Sequence, residues 1–157
     1  MKLPAHVAAS AAVAAAAYAA TRSPTVAVAA LLSGIFIDLD HVADHLLTSG
    51  EKFSVPGFFS WCEELRWERI FIVLHSIELL VLAAALAYWL RSELLFGLVL
   101  GAGSHLALDQ IGNRKPLPGH RFSAWHYFLT YRYRMGFRKS RLVRGPGRGS
   151  GLSSGRG

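Results

Sequence analysis

Asp38, Asp40 and His41 close an apolar run, "GIFIDLDHVADH" over residues 34–45, and Asp44 and His45 follow at once. Downstream, His75 and Glu78 stand three apart in a second apolar stretch, and His105 and Asp109 stand four apart in a third. His6 lies near the start of an Ala-rich segment. Asp38, His41 and His45 are spaced i, i+3 and i+7, along one face of a helix. Imidazole and carboxylate are the nitrogen and oxygen donors that suit Zn, Mn or Fe. They can also pair with one another as ions, but metal binding accounts for more of the pattern. A charged group left uncompensated in an apolar segment costs several kcal/mol. Carboxylates in excess of one ion's charge point to one or two divalent ions, and two ions can clamp a phosphoester.

The expected metal ligands are His6, Asp38, His41, His75, His105 and Asp109. Asp40 and Glu78 are assigned to catalysis, as general base or as groups that orient a ligand imidazole. Asp44 and His45 are placed beyond the end of their helix, His120 and His126 at a membrane interface, and Glu63 and Glu64 on a solvated loop. Zinc is the first choice of ion, with manganese or iron as alternatives.

Four hydrophobic segments must position these groups. Helices are expected over about 4–20, 25–45, 67–91 and 93–111, with a polar, aromatic connection at 46–66 that could act as a lid. Pro24 suits the first turn of the second helix. The later two helices approach the roughly 20 apolar residues that cross a bilayer. Ser33, Gly34, Gly101 and Gly103 would let helices approach closely. "AYA" at 17–19 resembles a signal-peptidase site, but the equally apolar run after it fits a helical hairpin better. Up-and-down threading brings His6, Asp38, Asp40, His41, His75, Glu78, His105 and Asp109 to one end of the bundle. That end also holds Lys2, Lys52, Arg66, Arg69 and the basic C-terminal region, while the other holds Arg22 and Arg91. The positive-inside rule then makes it cytoplasmic, with both termini inside an inner (plasma) membrane.

Composition agrees with this threading. Of the 157 residues, 52% are hydrophobic, and the net charge of +7 comes largely from the Lys and Arg after residue 113. Such a basic region suits anionic headgroups; a nucleic-acid partner is not expected. One cysteine, Cys62, excludes an internal disulfide and a thiolate zinc knuckle. The fold class is therefore all-α, an integral membrane four-helix bundle. Residues 1–112 form the four-helix metal-site domain, 113–144 a basic, aromatic interfacial segment with an interfacial helix at 123–144, and 145–157 a disordered Gly/Ser/Arg tail.

His6, "DLDH" at 38–41, "HS" at 75–76 and "GAGSHLALD" at 101–109 together resemble the inner-membrane metal-dependent hydrolase family, the DUF457 group, over roughly residues 5–112. That family is distantly similar to zinc-dependent phospholipase C. The resemblance implies metal-dependent hydrolysis of a phosphoester or ester, lipid esters included, with metal positions on His6, Asp38, Asp40, His41, His75, His105 and Asp109. Family members often carry a His-Arg pair ahead of the third helix. Here "RIFIVLHSIE" lacks it, which leaves Glu78 as the candidate replacement ligand. The alternative is a non-catalytic, metal-binding accessory subunit with a membrane protein partner.

Overall fold

The computed structural model describes residues 3–112 and 121–144. The tail at 145–157, Lys2 and His120 lie outside the described residues. The chain is mainly helical, as expected. Helices α1 (Leu3–Thr21), α2 (Pro24–Phe36) and α6 (Glu93–Gly112) pack against one another, and α5 (Ile77–Leu90) packs chiefly along α6. At one end of this layer lie α3 (Leu39–Thr48), α4 (Val55–Glu63), a 3-10 turn (Ala124–Tyr127), α7 (Leu129–Arg134) and α8 (Lys139–Leu142). The strands β1 (Arg121–Phe122) and β2 (Val143–Arg144) pair antiparallel beside them.

Small residues set the α2–α6 spacing. Gly97 and Gly101 are one turn apart on α6; a methyl group on Gly97 would overlap the Val26 backbone, and one on Gly101 the Ala30 carbonyl and Ser33 Oγ. Ser33 Oγ uses this closeness to donate to the Leu98 carbonyl at 3.0 Å. At the far end, Ser23 caps α2 by accepting from Val26 N and donates to Glu93 at 2.7 Å, which ties the α1–α2 turn to the start of α6.

Three expected elements are different in the structure. The second helix breaks at Ile37–Asp38, where amides reach back only three residues: Asp40 N to Ile37 O at 3.1 Å and His41 N to Asp38 O at 3.0 Å. Because α3 continues to Thr48, Asp44 and His45 lie within it and are buried. The third helix starts at Ile77 instead of 67. Ser76 caps it by accepting from Leu79 N at 3.3 Å, and 67–76 is non-helical, bridged at Arg69 and bent at 73–75. Ile70, Ile72 and Val73 explain this, because β-branched side chains favour a pleated backbone. The third departure is at 123–144, which is no single interfacial helix. It folds back as a cap whose Leu142 joins Trp61, Leu65, Trp67, Ile70 and Ile72 in a separate hydrophobic core. The connection 46–66 contributes α4 and Trp61 to that core.

This non-helical segment has its backbone met from both layers. Phe71 N donates to Asp44 Oδ1 at 3.2 Å, and Leu74 N to Asp40 Oδ2 at 2.6 Å. Arg132, fully buried on α7, donates to the carbonyls of Ile72 and His75. Ile70 N donates to Phe137 O at 2.9 Å.

Gly101→Val should lower stability by about 2 kcal/mol through overpacking, read as the unfolding midpoint in detergent. Gly103→Ala, whose methyl meets only Leu80 at ordinary contact, should leave the midpoint unchanged.

Candidate metal centre

The break in α2–α3, the end of α6, the start of α1 and the end of the non-helical segment meet at one point. Two groups of donors form there: His6, His105 and Asp109, and Asp38, His41 and His75, each with donor atoms within 4.8 Å of one another. All six expected ligands are thus brought together, and these buried groups could hold a metal ion.

Carboxylates connect the two groups. Asp38 Oδ1 lies 3.2 Å from His105 Nε2 and 3.4 Å from His75 Nε2. Asp109 Oδ1 lies 3.2 Å from His6 Nε2, while Oδ2 lies 3.6 Å from His105 Nε2 and 3.8 Å from His75 Nε2. His6 and His105 stack with ring centroids 3.9 Å apart, and His41 meets His75 edge-on at 4.7 Å.

These separations are longer than those of charge-assisted N–H···O bonds, about 2.7–2.9 Å. Nε2 of both His75 and His105 is buried and makes no hydrogen bond among the described residues. Two donors on one tetrahedral zinc, at bond lengths near 2.0–2.1 Å, stand about 3.3 Å apart. The spacing of the cluster would let these groups share a cation.

The other ring nitrogens are anchored. His105 Nδ1 lies 2.8 Å from the Gly34 carbonyl. An unbroken helix would offer that carbonyl to the amide of residue 38, so the break at Ile37–Asp38 both presents Asp38 and leaves Gly34 O for His105. His75 Nδ1 lies 3.4 Å from Asp40 Oδ2, which also accepts from the amides of Leu74 and His75. Both rings are thereby held with Nε2 toward the cluster, an arrangement that sharpens metal binding.

Asp40 therefore acts here by orienting His75 and its segment. Glu78 is elsewhere. Its carboxylate accepts from Leu129 N at 2.9 Å, Thr130 N at 2.9 Å and Thr130 Oγ1 at 2.8 Å, capping the start of α7. Glu78 is thus no replacement ligand, because its oxygens are occupied in docking the cap. His45 is buried away from the cluster among Phe53, Phe58 and Trp61. His126 is buried as well, against Phe122, instead of sitting at an interface. Burial, reinforced by the positive charge of Arg132, pushes its imidazole down to about 3, so it is neutral. Arg132 was not legible as part of the site; its only signal was a position among aromatics that could have been interfacial. Among the six ligands the side chains of His6, His75, His105 and Asp109 are at most 5% exposed, whereas Asp38 is 35% exposed. The partly covered side of the cluster is that of Asp38 and His41.

No protein-family model, curated protein or solved structure matches the chain.

Asp109→Ala should lose most bound metal by elemental analysis of the purified protein. Glu78→Ala should retain it, while the cap loses about 1–2 kcal/mol of stability with its hydrogen bonds. Metal loss in Glu78→Ala instead would return Glu78 to the ligand set.

Proposed function

We propose that this chain is a membrane-embedded, metal-dependent hydrolase of a phosphoester or ester, with its cluster at the cytoplasmic mouth of a four-helix bundle. The observation that carries the reading is the convergence of His75 and His105 Nε2 on Asp38 and Asp109 at 3.2–3.8 Å without hydrogen-bond alignment, each ring fixed from behind. Zinc fits the donor set best, and the two triads would accommodate two ions.

The membrane part rests on surface chemistry. The stretches Pro24–Thr48 and Glu93–Gly112 are long and apolar enough to cross a bilayer, and only 28% of each most apolar window is buried. Val28, Leu32, Phe36, Val81, Leu82, Leu94 and Phe96 lie on the outside of the helical layer. Large apolar side chains left exposed along the helices are what a lipid-facing surface carries. Tyr88 and Trp89, 88% and 77% exposed, stand beside Arg91 at the end away from the cluster, as interfacial aromatics do. The span α5 has 14 residues and covers about 21 Å of a core about 30 Å thick. Its start therefore lies below the headgroups, where non-helical backbone is tolerated only if protein satisfies it. Asp40, Asp44 and Arg132 do that for 71–75.

The chemistry that a divalent ion supplies at such a site is Lewis-acid activation of water and of the ester oxygen near neutral pH. The chain's residues hold and orient. His6, His75, His105 and Asp109 are closed in by protein, as rigid ligands should be. Asp38 and His41 are only partly covered, and Asp38 faces the approach, where it can orient an incoming water. A site sealed on every side would suit a structural metal; an opening at one ligand suits catalysis.

Purified protein reconstituted with zinc should hydrolyse bis-p-nitrophenyl phosphate or a p-nitrophenyl ester, and chelation should abolish turnover. Asp40→Asn should weaken metal affinity about 10–100-fold by releasing His75. Acidification from pH 7 to 5 should also release metal, since protons compete for the imidazoles. Stoichiometric metal without turnover on either substrate would favour the accessory-subunit reading.

A further inference from the structure

The outer face of the cap carries an open pocket of about 410 Å³ lined by Arg69, Phe71, Tyr133, Phe137, Arg138 and Arg141. We propose that this pocket binds a phosphate group. Its volume is within the roughly 300–1,000 Å³ of small-molecule sites.

The backbone brings the arginines together. Gly136 and Phe137, with φ of +64° and +56°, turn the chain back so that Arg138 forms an antiparallel bridge with Arg69. Ile70 N to Phe137 O at 2.9 Å and Lys139 N to Glu68 O at 3.0 Å fix that register. Strand alternation sends Ile70 into the cap core and Arg69 outward. Like charges directly opposite on paired strands repel. Among the described residues neither Arg69, Arg138 nor Arg141 has a carboxylate within ion-pair distance. The nearby Arg66, by contrast, is paired with Glu64 at 2.8 Å and Glu51 at 3.6 Å. An anion between the three guanidinium groups relieves the repulsion.

Phosphate fits the geometry because each planar guanidinium can offer two parallel N–H donors to its oxygens. Phe71 and Phe137, with rings 4.7 Å apart, supply an apolar floor that strengthens those bonds. Tyr133, 6.4 Å from Phe137, stands at the rim with a hydroxyl to add. The source of the phosphate is either an anionic lipid headgroup, which rests on the membrane reading above, or free phosphate in solution. The metal cluster is not required for either. The pocket and the cluster share one segment, with Arg69 on its outer side and His75 at its inner end.

The test uses full-length protein in neutral detergent, titrated with dioctanoyl phosphatidylglycerol, dioctanoylglycerol or inorganic phosphate, with unfolding temperature and bound metal read together. Wild type should be stabilised in a concentration-dependent way by phosphatidylglycerol or by inorganic phosphate, and not by dioctanoylglycerol. Response to the lipid alone assigns the site to headgroups; an equal response to inorganic phosphate assigns it to the free anion. Arg69→Gln/Arg138→Gln should bind about tenfold or more weakly with metal content unchanged, so this site and the metal centre can fail separately. Arg141→Gln, outside the bridge, gives the same readout if the double variant does not fold. Absence of any phosphate-dependent shift in wild type, or variants that respond like wild type, would overturn the proposal.

Discussion

Where a segment outside helix and sheet packs against helices and a cap, its buried amides and carbonyls need side-chain partners, and each one left unmet costs on the order of 1–3 kcal/mol. Residues 71–75 face that constraint. Three ionisable side chains answer it: Asp44 takes the Phe71 amide, Asp40 takes those of Leu74 and His75, and Arg132 supplies donors to the Ile72 and His75 carbonyls. The position of His75 follows directly, because its own amide and carbonyl are two of the groups being satisfied. The cap docks for the same reason, since Arg132 belongs to α7 and reaches the segment only when α7 lies over it. Glu78 reinforces the arrangement from the other side by holding the first amides of α7.

A second constraint sits in the helical layer. Close packing of α2 on α6 needs Gly97 and Gly101, and the same closeness lets His105 reach across to the Gly34 carbonyl. That carbonyl is available because the helix breaks just beyond it. One local change, the step from α2 to α3 through two three-residue turns, thus presents Asp38 and fixes the ring of His105 on the facing helix. Small residues, helix break and imidazole orientation form one mechanical unit, in which none of the three has its effect without the others.

The clustered donors are legible in the sequence because spacing along helices and alternation of spans are both local, periodic properties. Hydropathy locates α1 and α6 closely and α2 at its start, and it places His6, Asp38, His41, His105 and Asp109 at one end. It failed at 67–76, where an apolar run was read as more helix. Hydropathy does not distinguish a buried strand from a span, although the β-branched residues from Ile70 to Val73 and the capping Ser76 carry that distinction. Glu78 was drawn into the site by its spacing from His75, a relation that holds only if both lie on one helix. The cap was invisible for a different reason. Its aromatic and basic composition is shared by interfacial helices and by small folded layers, and the contacts that decide between them, such as Leu142 with Trp61 and Ile70, are remote in sequence. Arg132 could not be singled out from among its neighbouring arginines without them.

The charges within the cluster allow two states, proton-balanced and metal-balanced. Asp38, Asp40 and Asp109 require positive charge nearby, and Arg132 is already bonded to backbone carbonyls. Protons on the imidazoles or a divalent cation can supply it. His6 and His105 are stacked 3.9 Å apart, and His41 and His75 are 4.7 Å apart. Two imidazolium charges at such a separation repel by about 4 kcal/mol even at an effective dielectric constant of 20. Protons on both rings of either pair would therefore repel, although the Asp38 and Asp109 carboxylates beside them oppose that cost. A divalent cation would avoid the repulsion altogether. It would bring two charges to one point, take the lone pairs of neutral rings, and let close imidazoles remain neighbours. The same donors can thus be balanced by protons or by a metal ion, and the proposed chemistry depends on the second.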